Sequence, residues 1–216
     1  MVWLLISLSA LAADWCESNE PEVQHTIKQL TELYRVQDCT KLKKFAEKEK
    51  SLSLASKQIK DPRPLQMFAK LHHLNLVSNN ITDATFLNGF EELKWVDLSS
   101  NPLKDSPLVE LPTVEILHCR QCKLSQVPFT ELRSIREVSL RNNQIDNIDF
   151  VSQSPKLRVL IVENNYISET LSLYNHRSLK RVDLFRNPIL REGCPTEKPA
   201  IRALREACKR VFPEKP

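Results

Sequence analysis

The chain has 216 residues, 41% of them hydrophobic and 27% charged, with a net charge of +4, a composition able to bury one continuous core. Only two glycines occur, Gly89 and Gly193, and no low-complexity or single-sign block interrupts the chain, so there is no linker and no room for a second domain. The small positive excess is spread along the sequence, which by itself points neither to nucleic acid nor to an anionic membrane.

In chain order, residues 1–12 read as an export signal. Val2 to Leu11 is apolar but far shorter than the ~20 residues needed to span a bilayer. Ala10-Leu11-Ala12 has the small residues of a cleavage site, so the mature chain is expected to begin at Ala13 or Asp14. No Lys or Arg precedes the apolar run, which departs from the usual signal and leaves a buried N-terminal segment as the alternative. A helical cap is expected over 13–48. Within it, Val23, Ile27, Leu30 and Tyr34 share one face of a helix from Pro21 to about Val36, followed by Leu42 and Phe45.

From residue 49 to 190 the pattern LxxLxLxxNxI recurs in seven copies starting at 49, 71, 93, 114, 135, 157 and 179, with steps of 22, 22, 21, 21, 22 and 22. The clearest copies are LHHLNLVSNNI, LKWVDLSSNPL, IREVSLRNNQI, LRVLIVENNYI and LKRVDLFRNPI. EKSLSLASKQI is weaker, with Lys57 where Asn is expected, and so is VEILHCRQCKL, with Cys122 there. In each xLxLx core the two apolar residues share one face of a short strand because side chains alternate. The Asn that follows carries both a donor and an acceptor, so it can satisfy backbone groups of adjacent turns as a buried ladder. Beyond the ladder the apolar spacing is about three, as in Ile81, Ala84, Leu87 and Phe90. With Pro102, Pro107, Pro112, Pro128 and Pro155, this fits 3₁₀ turns or extended chain better than a long helix. One copy cannot bury enough apolar surface to fold alone, so the copies must stack and their ends must be covered. A second helical cap is expected over 191–216, with Ile201, Leu204, Cys208 and Val211 on its inner side.

These seven in-register copies resemble the leucine-rich repeats of the 22-residue type, found in secreted bacterial proteins and in some eukaryotic regulatory subunits. The resemblance covers about Glu49 to Leu190. It implies an α/β solenoid: a horseshoe with short parallel strands on the concave side, 3₁₀ or extended chain on the convex side, and helical caps. It also implies that the concave face binds a partner, usually a protein.

Cysteines are placed as pairs at both flanks. Cys16 with Cys39, and Cys194 with Cys208, are expected to form disulfides in an oxidising compartment, against the alternative of reduced thiols in a cytosolic protein. Cys119 and Cys122 lie in HCRQC, at an inward strand position and a ladder position, while His118 points outward. The three do not converge on a metal, and the two sulfurs are expected to stay reduced and pack as small apolar groups. No Gly-rich phosphate loop, HExxH, GxSxG or paired carboxylate occurs, so no catalytic residue, metal or cofactor is expected.

The outward strand positions carry the functional expectation. Trp95, Ile116, Val159, Ile161 and Phe185 form an apolar set bordered by Arg120, Arg141, Glu163 and Arg181, with Asp97 and His118 among them. That is the composition of a protein-binding surface, although β-branched residues also simply suit strands. The reading is of an exported, monomeric module, secreted or periplasmic, that binds a protein on its concave face. Three alternatives stand beside it: glycan or cell-wall binding with Trp95 and Phe185 as stacking platforms, a cytosolic regulatory subunit, and a hydrolase using His118 with Asp97 or Glu163 on a face that offers no enclosed pocket.

Overall fold

The computed structural model describes residues 15–104, 106–194 and 201–213. The expected export signal and cleavage site lie outside the described residues. Seven three-residue strands form one parallel sheet: β1 (Ser51–Ser53), β2 (His73–Asn75), β3 (Trp95–Asp97), β5 (Ile116–His118), β7 (Glu137–Ser139), β8 (Val159–Ile161) and β9 (Arg181–Asp183), in that spatial order. Two shorter strands, β4 (Val109–Glu110) and β6 (Phe129–Thr130), pair with each other on the opposite side. The chain therefore winds as a solenoid with the main sheet on its concave side.

Each turn of the solenoid is shaped by a recurring device. The residue immediately before each ladder position adopts the left-handed conformation: Ser56, Ser78, Ser100, Gln121, Asn142, Asn164 and Arg186 all have φ between 56° and 60°. None is glycine, so each pays steric strain of ~1–2 kcal/mol, and the ladder supplies the compensating bonds. Asn101 donates from Nδ2 to the carbonyls of Leu76 and Leu98 at 2.8 Å each and accepts from the Ile81 amide at 3.0 Å. Asn79, Asn143, Asn165 and Asn187 repeat the arrangement, and all five are buried.

The convex side explains the one irregularity in the period. Where the step is 22, 3₁₀ segments return the chain, at Arg63–Met67, Thr85–Gly89, Asp149–Gln153 and Leu171–Leu173. The two 21-residue steps close the repeats that begin at 93 and 114, and these return through β4 and β6 instead. Extended chain covers more distance per residue than a 3₁₀ turn, ~3.3 Å against ~2.0 Å, so one residue fewer reaches the same point.

Helices close both ends. α1 (Pro21–Tyr34) starts with a proline in its first turn and ends on Arg35 in the left-handed conformation. It buries Val23, Thr26, Ile27 and Leu30, and is bonded to the first repeat through Thr26 Oγ1 to the Asp61 carbonyl at 2.7 Å and His25 Nε2 with the Lys57 carbonyl at 2.7 Å. α2 (Cys39–Ala46) is capped by Asp38, which accepts from the Lys41 amide, and it buries Leu42 and Ala46. Phe45, which the sequence places on the covering side, is instead exposed and packs at a tilt against Tyr34 with ring centroids 5.2 Å apart. α3 (Arg202–Val211) buries Ala203, Leu204, Ala207 and Cys208, and Arg210 Nη2 donates to the Val182 carbonyl of β9 at 3.1 Å. Disulfides join Cys16 to Cys39 and Cys194 to Cys208.

The expectation of two reduced thiols at Cys119 and Cys122 is overturned, because they are bridged, with Cα atoms 5.7 Å apart. The ladder geometry supplies the reason. A side chain at the ladder position folds back toward the residue three before it, as Asn101 does onto Leu98 and Asn143 onto Leu140. In this repeat the residue three before is Cys119, so both sulfurs are aimed into the same space. With cysteine in place of asparagine there is no side-chain oxygen to accept from the preceding turn, and the Leu103 amide donates instead to the carbonyls of Asn101 and Cys122, 2.9 Å from each.

Candidate functional site on the concave face

The parallel register sets His73, Trp95, Ile116, Glu137, Val159 and Arg181 side by side in one row across the sheet. Asn75, Asp97, His118, Ser139, Ile161 and Asp183 make the next row. A third row follows at the strand ends, where the carbonyls of Val77, Ser99, Arg120, Arg141, Glu163 and Phe185 each accept an amide from the preceding repeat. All eleven residues singled out from the sequence thus lie on one face, but not as one apolar patch. Glu137 and Ser139 separate Trp95 and Ile116 from Val159 and Ile161, and Phe185 stands at the far end with 47% of its surface exposed and the Arg186 guanidinium 5.5 Å from its ring centroid.

The middle of the face is a bonded cluster around His118. The Trp95 ring meets the imidazole edge to face with centroids 6.0 Å apart. Nε2 of His118 is 3.1 Å from Glu137 Oε1, while Nδ1 is 3.5 Å from Asp97 Oδ2 and 3.1 Å from Arg120 Nη2. Asp97 is buried and accepts the Ser99 amide at 2.8 Å, and the Arg120 amide donates to Ser99 Oγ at 3.1 Å. Next along, Arg141 Nη2 donates to Glu163 Oε1 at 3.1 Å. Glu137, which holds the far side of the imidazole, was legible as a concave residue but not as a partner of His118. The cross-strand neighbour rule, applied diagonally, is the signal that could have found it.

These contacts tune the titration of the cluster. The Asp97 hydrogen bond raises the His118 pKa above its ordinary 6.5, helped by Glu137 and opposed by burial and by the Arg120 charge. For Asp97, burial pushes the pKa up, but hydrogen bonds from His118 and from Ser99 outweigh it and hold the carboxyl below its ordinary 3.8. A neutral ring can accept from Arg120 at Nδ1, whereas a protonated ring donates there to Asp97. Stabilisation from the raised His118 is fully present below about pH 6.5 and is lost as pH rises through the folded-state value. Stabilisation from the lowered Asp97 is present above about pH 4 and is lost as pH falls through its folded-state value. Denaturation midpoints of the native chain and His118→Gln are therefore expected to differ most near pH 5.5 and to converge toward pH 8.5. A gap of constant size across that range would contradict the assignment.

Ser139 follows Asp97 and His118 in the same row, yet the imidazole Nε2 that would have to activate it is held by Glu137. Cys119 and Cys122 are joined in the interior while His118 faces outward, so the HCRQC segment does not converge on an ion. Among the described residues no group of three or more His, Cys, Asp or Glu is placed to hold a metal, and no helix is long and apolar enough to cross a membrane.

A sheet of seven parallel strands laid down one per repeat, tied by an asparagine ladder, defines a leucine-rich-repeat solenoid. A family model described as "Leucine Rich repeat" matches residues 69–84, which take in β2 and the ladder residue Asn79. Among solved structures it is similar to internalin C2 from Listeria monocytogenes, at 20% identity over 76% of this chain and 74% of that one, with a TM-score of 0.65. It is also similar to TLR13 in a complex with an RNA named ssRNA13, at 19% identity and a TM-score of 0.52 over 64% of this chain, which corresponds to 21% of that one. At these identities the likeness is one of fold. A search of curated proteins returns no match.

Proposed function

We propose that the concave face recognises a partner protein outside the reducing cytosol. The observation that carries this reading is the cluster at the middle of the face. Trp95, Asp97, His118, Arg120 and Glu137 are held by one another before any partner arrives, so little side-chain entropy remains to be lost on binding. Tryptophan and arginine are the residue types that most often anchor interfaces. Seven strands at ~4.8 Å give an arc of roughly 30 Å, long enough for about 800 Å² per partner. Three disulfides among the described residues support an oxidising compartment and hence export. A glycan reading is less well supported, since Phe185 carries a guanidinium over its ring and Trp95 is braced against His118, so each ring already has a partner.

Truncating an anchor is expected to cost ~2 kcal/mol or more, about a 30-fold loss of affinity. Once the partner has been captured and identified, its affinity for Trp95→Ala and Arg141→Ala should fall by that amount with melting unchanged. Lys123→Ala, beyond the strand of its repeat, should bind as the native chain does. Full affinity in both concave variants would remove the proposal.

A further inference from the structure

One position per repeat lies outside the rows already described: the residue that enters each strand. Its carbonyl accepts two successive amides from the following repeat. The Arg136 carbonyl takes Arg158 at 2.8 Å and Val159 at 3.0 Å, and the Arg158 carbonyl takes Lys180 at 2.8 Å and Arg181 at 3.0 Å. Arg136, Arg158 and Lys180 are therefore stacked in register along one rim of the solenoid, at roughly the 4.8 Å spacing of paired strands. Lys156 and Arg177 lie in the turns that lead into the same two strands.

Earlier on the rim Lys70 and His72 share Glu92 and Arg136 is paired with Glu115, while Lys50 and Lys94 stand singly, each on its own repeat. At the C-terminal end the unmatched cations gather. Lys156, Arg158, Arg177 and Lys180 are all exposed, and none has an ion-pair partner among the described residues. The nearby carboxylates are engaged elsewhere: Glu131 with Arg133, Glu137 with His118 and Glu163 with Arg141. Four unmatched cations on two adjacent repeats repel one another and gain nothing inside the fold, whereas an anion laid along the rim would meet all four.

We propose that this rim is a docking site for an extended acidic segment of a protein. The shape of the charge selects that occupant. It follows the strand-entry positions and the turns just before them, a narrow band that Arg181 and Asp183 border on the concave side. A single-stranded nucleic acid is ordinarily held by aromatic stacking beside the cations, and these entry positions carry none. A bilayer presents its anions over a plane rather than a line. Alternate side chains of an extended peptide fall on one side every ~6.8 Å, a spacing that flexible arginine and lysine side chains on adjacent repeats can follow. The proposal does not rest on the concave-face reading, since neither Trp95 nor Arg141 belongs to this line.

The test is fluorescence anisotropy of the full exported chain with a labelled peptide of alternating glutamate and serine, at low and at physiological salt. Binding is expected, weakening as salt rises. The double variant Arg158→Glu, Lys180→Glu should lose at least tenfold in affinity, as should Lys156→Glu, Arg177→Glu, with melting curves unchanged because only backbone atoms of the stacked residues join the repeats. The charge-preserving pair Arg158→Lys, Lys180→Arg and the concave variant Trp95→Ala should bind like the native chain. Unchanged affinity in both reversed variants would overturn the proposal. So would tighter binding, through the same four residues, of a single-stranded oligonucleotide or of phosphatidylserine vesicles.

Discussion

Replacing Asn143 with leucine is expected to destabilise the protein by about 3–5 kcal/mol, against less than ~0.5 kcal/mol for Gln144→Leu one residue on. The side chains are of similar size, so volume does not separate the two. Asn143 donates from Nδ2 to the Cys119 and Leu140 carbonyls, 2.8 Å from each, and accepts at Oδ1 from the amides of Cys122 at 2.9 Å and Leu124 at 3.1 Å. A buried leucine would orphan those four backbone groups, each worth ~1–3 kcal/mol when left unpaired, with some recovered by relaxation. Gln144 is exposed, and the bond that ties it to the previous turn is its backbone amide to the Leu124 carbonyl, which leucine keeps. Equal denaturation midpoints for the two variants would contradict the ladder.

The second large effect is expected at the C-terminal end. The Cys194 to Cys208 bridge closes a loop of 14 residues, and a cross-link of that length constrains the unfolded chain by about 3 kcal/mol. Repeat proteins are stabilised by nearest-neighbour interfaces, so the loss should be local before it is global. In Cys194→Ser, Cys208→Ser, hydrogen exchange should accelerate first in α3 and in β9, which α3 covers, and last in β3 and β5 at the centre. Uniform acceleration across all seven strands would show that the cap is not a separable terminal element.

The period, the strand positions and the rows of the concave face were legible because each depends on residue spacing alone. Leu74 and Leu76 point inward and His73 and Asn75 outward by the two-residue alternation of any strand, and the parallel register then aligns those residues with Trp95 and Asp97. What the spacing does not carry is reach. Cys119 and Cys122 were each placed correctly as buried residues, but the left-handed turn at Gln121 that brings their sulfurs together has no glycine to announce it. Phe45 sits on the covering helix, yet Leu42 and Ala46 take the buried positions of α2 and Phe45 packs against Tyr34. The pairing of His118 with Glu137 is diagonal between neighbouring strands, and depends on side-chain length rather than on position. The unmatched cations of the rim were visible only as a small net charge spread along the chain. They become a line when the repeats stack.

The most direct test of the proposed binding face is site-specific photocrosslinking of the full chain from two positions. One is Ile161, in the second row of the concave face. The other is Tyr166, which is 61% exposed in the same repeat but beyond its ladder asparagine. The account predicts one discrete protein adduct from position 161, reduced when Trp95→Ala is added, and no matching adduct from position 166. The same protein captured from position 166, with nothing from position 161, would place recognition on the other side of the solenoid and contradict it.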